Sequence, residues 1–268
     1  MIIRKTAEQI SGIREAGRIV AEAIAAMGEI AKAGITTAQL DKKAREVFEK
    51  NGARSAFLGY RPSRSMPAFP GFICISINDE IVHGIPNSRT VIKPGDLVSI
   101  DVGSRYRGFV GDAAATYVIE GATPEARVLA WETYRALHRG LANAKPHGKL
   151  EQISSTVQNH AESKGFSVVR EFVGHGVGLQ LHEEPQVPNF VDNSSPDVIL
   201  EPGMTIAVEP MICEKRYKTV TDPDGWTVRT ADGGLAAHFE HSIAITNDGM
   251  EILTLLADGT EPYVPPEP

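Results

Sequence analysis

KPGDLVSID at residues 93–101 and EPGMTIAVE at residues 201–209 follow one plan. In both, Pro-Gly opens a turn and an apolar strand follows, ending in a carboxylate seven residues after the proline. A helical pattern that closes on glycine precedes each, QLDKKAREVFEKNG at 39–52 and QISSTVQNHAESKG at 152–165. The copies are offset by 113 residues at the helices and 108 at the strands. Pro-Gly turns before strands are common, but helix and strand recurring in the same order point to an internal repeat. Two similar α/β halves would then face each other across a cleft, and both would send carboxylates into it.

The surrounding elements fit this plan. Thr6 and Gln9 form a capping box. Ile10, Ile13, Gly17, Val20, Ile24, Met27 and Ala31 then recur every three or four residues, which predicts a helix stopped by Gly34. A second helix is expected from Thr37 to Lys50, a third from the Thr123 cap and Pro124, and a fourth from Leu150 to Lys164. A Pro/Arg/Ser-rich loop, RPSRSMPAFPG, occupies 61–71, and short strands fill about 72–120 and the region after residue 165. The tail EPYVPPEP at 261–268 reads as frayed. We expect one domain over residues 1–268, with halves at roughly 6–120 and 121–255.

Composition narrows the function. The chain has 268 residues, 42% of them hydrophobic and 23% charged, as in ordinary globular proteins. A net charge of −7 with no long basic run argues against a nucleic-acid surface. Two cysteines, Cys74 and Cys213, are too few for a disulfide framework and suit a reducing compartment. No apolar run is long enough for a membrane span, and the start MIIRKTAEQI lacks the apolar core of a signal peptide. The cytoplasm is the expected location.

Five residues then stand out: Asp101, Asp112, His175, Glu209 and Glu240. Four carboxylates and one imidazole suit a pair of divalent first-row ions better than a single structural zinc. Two ions ~3.5–4 Å apart that share carboxylates and a bridging water are a known hydrolytic device. Asp101 and Asp112 flank the polar turn SRYRG. With Tyr106 and Arg107 as a two-residue turn, they would be direct cross-strand partners on one face. Their mutual repulsion would call for a cation. His175 lies in GHGVG, where glycines let the backbone turn tightly, although such a histidine can equally be a turn residue. Glu209 closes the strand TIAVE. Glu240 sits in LAAHFEHSIAIT, sharing a face with His238 and not with His241. His83, in INDEIVHGIP, reads by itself as structural. His138 and His160 read as helix surface and His147 as loop.

INDEIVHGIP, SIDVG with GDAAATY, GHGVGLQLHEEPQV, EPGMTIAVEPM and FEHSIAIT together resemble the type I methionine aminopeptidases, in the family's order and over about residues 72–247. The resemblance implies the pita-bread α/β fold, with an antiparallel sheet covered by helices and a central dimetal cleft. It implies two divalent ions (cobalt, manganese, iron or zinc) bridged by Asp112 and Glu240. Asp101 would complete one site, and His175 with Glu209 the other. His83 and His182 match histidines that contact substrate, Glu209 would handle the proton, and Tyr60, Phe69, Cys74 and Trp226 match pocket-lining positions. The implied partners are the N-terminal methionine of nascent polypeptides with a small second residue, and transiently the ribosome, for a monomeric enzyme. Three departures concern pocket shape. The 61–69 loop is longer than in short bacterial members, Phe57 stands where cysteine is frequent, and Leu181 stands where phenylalanine is frequent.

Rival readings fit less well. Proline-specific relatives carry an extra N-terminal domain, and a helix capped at Thr6 leaves no room for one. Type II methionine enzymes carry a late helical insertion, yet only 31 positions separate Glu209 from Glu240, with DPDG and ADGG reading as hairpin turns. A metal-free binding protein on this fold should have lost ligands. Because Ile2 is β-branched and stiff, the enzyme is expected not to remove its own Met1.

Overall fold

The structure, a computed structural model, describes residues 1–64, 66–192, 194 and 197–268. Helix α1 (Ala7–Gly28) opens on the expected capping box, with Thr6 Oγ1 accepting from the Gln9 N–H and Gln9 Oε1 from the Thr6 N–H. It buries Ile13, Gly17, Val20, Ile24 and Met27. It ends before the expected stop at Gly34, where Tyr117 meets its last turn. The Tyr117 hydroxyl donates to the Ile24 carbonyl (2.7 Å), and a Cβ on Gly28 would come within 2.7 Å of the ring. Gly34, at φ +92°, instead serves the turn into α2 (Thr37–Asn51). That helix repeats the capping box with Thr36 and Gln39 and stops at the left-handed Gly52. α3 (Pro124–Leu141) starts from the Thr123 cap, and α4 (Glu151–Ser163) packs against it.

The strands are β1 (Arg54–Ser55), β2 (Cys74–Ile77), β3 (Glu80–Val82), β4 (Leu97–Tyr106), β5 (Phe109–Val118), β6 (Ser167–Val168), β7 (Gly174–Gly176) and β8 (Glu183–Val187). They continue with β9 (Thr205–Val208), β10 (Met211–Cys213), β11 (Thr219–Thr221), β12 (Val228–Thr230), β13 (Ala236–His238), β14 (Glu240–Ile245) and β15 (Met250–Ile252). The main sheet runs β1-β4-β5-β14-β9-β7-β8, with β2 on β4 and β15 on β14, all antiparallel. Two three-stranded sheets, β13-β10-β6 and β11-β12-β3, complete it.

The repeat read in the sequence is visible here. β4 and β9, the strands after the two Pro-Gly turns, flank the central pair β5·β14. It extends one step beyond the sequence match, because α2 and α4 each lead through a left-handed glycine (Gly52, Gly165) into a two-residue strand, β1 and β6. The main apolar cluster joins the halves, containing Ile24, Val98, Leu137, Ile206 and Ile243 together. α1 lies directly on the sheet, where a Cβ on Gly111 of β5 would meet the Gly17 backbone at 2.5 Å.

Two further expectations need correction. The β4–β5 hairpin turns on Arg107-Gly108, not Tyr106-Arg107. Both turn residues have positive φ (48° and 87°), and Tyr106 pairs with Phe109. A tight turn that matches strand twist needs positive φ at both central positions, and glycine takes the second without steric cost. Asp101 is therefore opposite Ala114, and Asp112 opposite Gly103. The shift is two residues, so the aspartates keep a common face but are diagonal neighbours. The tail is also not frayed through residue 265. Tyr263 packs at a tilt on Tyr117 (ring centroids 4.0 Å), its hydroxyl accepts from the Val118 N–H (3.2 Å), and Pro265 is buried. Aromatic burial outweighs the loose look of a Pro/Glu-rich segment.

Candidate metal centre

The five expected ligands converge on one face of the main sheet. Register places Cys74, Asp101, Ala114 and Glu240 in a row across β2, β4, β5 and β14. Asp112 lies two residues from Ala114 on the same side. On the other flank His175 of β7 is opposite Ala207 of β9, and Glu209 follows two residues later. Each half thus puts an alanine methyl under its acidic groups, which leaves a hollow where a larger side chain would fill it. Glycines around His175 are required by crowding. A Cβ on Gly174 would lie 2.4 Å from the Ala207 carbonyl oxygen, and one on Gly176 2.3 Å from that of Glu184.

The ligand atoms are close. His175 Nε2 stands 3.5 Å from Glu209 Oε1 and 3.9 Å from Asp112 Oδ2. Asp112, His175 and Glu240 each bring one ligand atom within 4.8 Å of the others. His175 Nδ1 contacts the Gly176 carbonyl oxygen at 2.9 Å. A carbonyl can only accept, so Nδ1 carries the proton and Nε2 offers its lone pair to the cluster. Asp101 Oδ1, Asp112 Oδ1 and Glu240 Oε1 are buried without a hydrogen-bond partner among the described residues. Such orphaned carboxylate oxygens are costly, and a divalent cation is the group that satisfies them together.

Electrostatics agrees. Desolvation pushes the Asp101 carboxyl up to about 7. Desolvation, then the charges of Glu240 and Asp101, pushes Asp112 well above the carboxylate range. Glu209 rises for the same first reason and then through Asp101 and Asp112, and Glu240 through Glu209 and Asp101. Desolvation, then His182, lowers His175 to about 3, so it stays in its neutral, ligating form. No cationic side chain answers these carboxylates within the cluster among the described residues.

A cleft of about 430 Å³ opens from the cluster, lined by all the expected pocket positions, Tyr60, Phe69, Cys74 and Trp226, and by His83 and His182. Phe69 meets Trp226 edge-on at 5.2 Å between ring centroids. Phe57 and Leu181 also line it, so two of the departures noted in the sequence lie in its wall. His182 stacks edge-on against His175 (4.3 Å), and its Nδ1 is 2.7 Å from the Tyr60 hydroxyl. His83 has φ +61°, unusual for a side-chain-bearing residue, and its ring lies between Phe172 (5.5 Å) and Trp226 (6.1 Å). Desolvation, then His182, lowers it to about 4.

Sequence reasoning left out several neighbours. His238 is buried with Nε2 3.7 Å from Glu209 Oε2, and its parity with Glu240 was the available signal. Its backbone N–H donates to Thr116 Oγ1 (2.8 Å), tying β13 to β5. The buried pair of Lys5 with Glu183 (2.5 Å) had no local signal. Glu183 Oε1 also accepts from the Leu179 and Gln180 N–H groups (2.6 and 2.9 Å), so it braces the loop that presents His182. His160, read as helix surface, is buried against Glu132 (2.7 Å), and His138 is half-buried beside Glu261.

A sequence profile of metallopeptidase family M24 matches residues 11–247. A methionine aminopeptidase of Aquifex aeolicus is 47% identical over 249 residues, covering 92% of this chain and 96% of that protein. Methionine aminopeptidase 1 of Bacillus subtilis is 46% identical, covering 95% and 99%. The crystal structure of methionine aminopeptidase from Thermotoga maritima superposes with a TM-score of 0.90 at 40% identity, covering 95% of this chain and 99% of that one.

Proposed function

The chain belongs to metallopeptidase family M24, and from that premise we propose how its cleft removes an N-terminal methionine. The activity is that of a methionyl aminopeptidase, a hydrolase that uses divalent metal. The observation that carries the site assignment is the buried acidic cluster with its orphaned carboxylate oxygens, set at the end of an apolar cleft.

Asp101, Asp112, His175, Glu209 and Glu240 would hold the divalent ions. Bound there, divalent ions supply Lewis acidity toward the scissile carbonyl and make water acidic enough to attack at neutral pH. The methionine side chain lies along Phe69, Cys74 and Trp226. Cys74 is the cross-strand partner of Asp101, so the side-chain pocket and the acidic cluster share one register row. Glu209 takes the proton of the attacking water. With the Tyr60 hydroxyl donating to Nδ1, His182 keeps a proton on Nε2 to donate to the carbonyl oxygen as negative charge develops. His83, neutral and held between two aromatic rings, donates near the amide that leaves. A small second residue is preferred, because a branched side chain there would meet the cleft wall to which Phe57, Tyr60 and Leu181 contribute. The substrates are nascent polypeptides in the cytoplasm, met by a single-domain monomer.

The test is release of methionine from a Met-Ala-Ser peptide. Chelation should abolish it, readdition of cobalt, manganese, iron or zinc should restore it, and a Met-Ile-Ser peptide should be cut poorly. Activity that survives complete metal removal would overturn the assignment.

A further inference from the structure

Away from the cleft, three side chains from distant parts of the chain converge: His138 on α3, His241 on β14 and Glu261 in the tail. One ligand atom from each lies within 4.8 Å of the others. His138 Nε2 is 3.1 Å from Glu261 Oε1, and His241 Nε2 is 3.8 Å from Glu261 Oε2. The proposed reaction uses none of them. We propose that they form a second, separate site for a divalent transition ion of zinc type, which clasps the C-terminal tail to the body.

The geometry supports ligation rather than a simple hydrogen bond. His138 Nε2 is buried, yet despite the 3.1 Å approach it makes no properly directed hydrogen bond among the described residues. With the proton on its other ring nitrogen, its Nε2 lone pair would face the space it shares with the carboxylate. His241 Nδ1 is 2.8 Å from Thr254 Oγ1. With that nitrogen donating to the hydroxyl, Nε2 presents its lone pair to the cluster, as ligand histidines are usually held. Tetrahedral ligands at ~2.0–2.1 Å from zinc stand roughly 3.3 Å from one another, and the two observed separations bracket that spacing. Desolvation raises the Glu261 carboxyl, but in the metal-free protein hydrogen bonding from His138 and His241, and then their charges, outweigh it and hold it down to about 2. The carboxylate is therefore anionic, and an ion would take the place of those protons. The Tyr134 hydroxyl, 3.4 Å from Glu261 Oε1, steadies it further.

Two imidazoles and one carboxylate are a borderline donor set. They favour zinc-like ions over calcium or magnesium, which take oxygen ligands. Three protein ligands leave the fourth position to water. Among the described residues these three do not line the main cleft or the cavity beside Arg229, and the proposed role is a fastening. Occupation would add to the packing of Tyr263 on Tyr117 and fix the whole tail.

The experiment counts metal in full-length, metal-loaded protein dialysed against zinc at neutral pH. Wild type is compared with Glu261→Gln and His138→Gln. Wild type should hold one zinc more than either variant, while peptidase activity, which also reports an intact fold, stays the same in all three. Added zinc should slow carboxypeptidase trimming of the wild-type tail at least tenfold and leave both variants unprotected. An equal zinc count in all three proteins would overturn the proposal and leave the cluster an ion pair only. Because both variants spare the cleft, this failure is distinct from any failure of the aminopeptidase assignment.

Discussion

Replacing Lys5 by methionine should cost far more than its place near the chain start suggests. Its ammonium sits 2.5 Å from the Glu183 carboxylate, with side-chain exposures of 1% and 3%. At an effective dielectric near 20, attraction at that distance is roughly 6–7 kcal/mol, most of which offsets the desolvation of the two ions. Methionine keeps the volume but leaves Glu183 charged and buried, with only the Leu179 and Gln180 N–H groups as donors. Losing one partner of a buried pair typically costs about 3–5 kcal/mol, a large share of a total near 5–15 kcal/mol. In Lys5→Met/Glu183→Gln the amide oxygen can still accept both N–H groups and no charge is stranded, so most of the loss should return. Urea unfolding of the four proteins at one fixed metal concentration gives the cycle, with a coupling of about 3 kcal/mol expected. Activity should fall too, since a displacement of ~1 Å at His182 can cost ~100-fold in rate. Single losses below about 1 kcal/mol that simply add in the double variant would refute the idea that this pair braces the His182 loop.

Three further outcomes follow from the geometry. Tyr60→Phe should lower kcat about tenfold, roughly 1.4 kcal/mol, with the metal count unchanged; a loss of metal instead would place Tyr60 in the support of the ligands. Chelated protein should become less stable as pH rises. Asp101 titrates at about 7 in the folded cleft against an ordinary 3.8, so the folded state holds the extra proton. The stability this gives is full below the unfolded value and gone above the folded one, on the order of 4 kcal/mol. Urea midpoints between about pH 5 and pH 8 should therefore fall in chelator, and a rise would contradict desolvation of the cluster. Gly111→Ala should destabilise the fold by about 1–3 kcal/mol, because its Cβ would meet the Gly17 backbone at 2.5 Å; an unchanged melting temperature would mean that α1 can lift from β5 without cost.

Local chemistry was legible in the sequence, and long-range pairing much less so. The capping box at Thr6 and the stop at Gly52 are written in a few adjacent residues, and so is the box at Thr36 with Gln39, which sequence reasoning left out. The common face of Asp101 and Asp112 was also legible, because parity survives a two-residue slip; the slip itself came from overlooking Gly108 as the residue that accepts positive φ. The early end of α1 depends on Tyr117, and helical periodicity cannot see a ring arriving from another element. His160 looked exposed for a similar reason, since its face is decided by where Glu132 of the neighbouring helix comes to lie. Glu261 gave no sign of its two histidines, which lie on a helix and a strand remote from it in sequence.

The central pair β5·β14 has a consequence for how the molecule comes apart. Asp101 and Asp112 belong to the first half of the chain, and His175, Glu209 and Glu240 to the second. An ion held, as proposed, by Asp112 of one half and Glu240 of the other would therefore be a removable crosslink between two units that resemble each other. Metal supply would then govern more than turnover. With metal bound there, neither half could loosen without surrendering an ion, and binding would add to the cooperativity of the whole chain. When metal is scarce, that crosslink is gone and the shared apolar core and the β5·β14 pairing are left to hold the halves together, so a protease should find the chain easier to open.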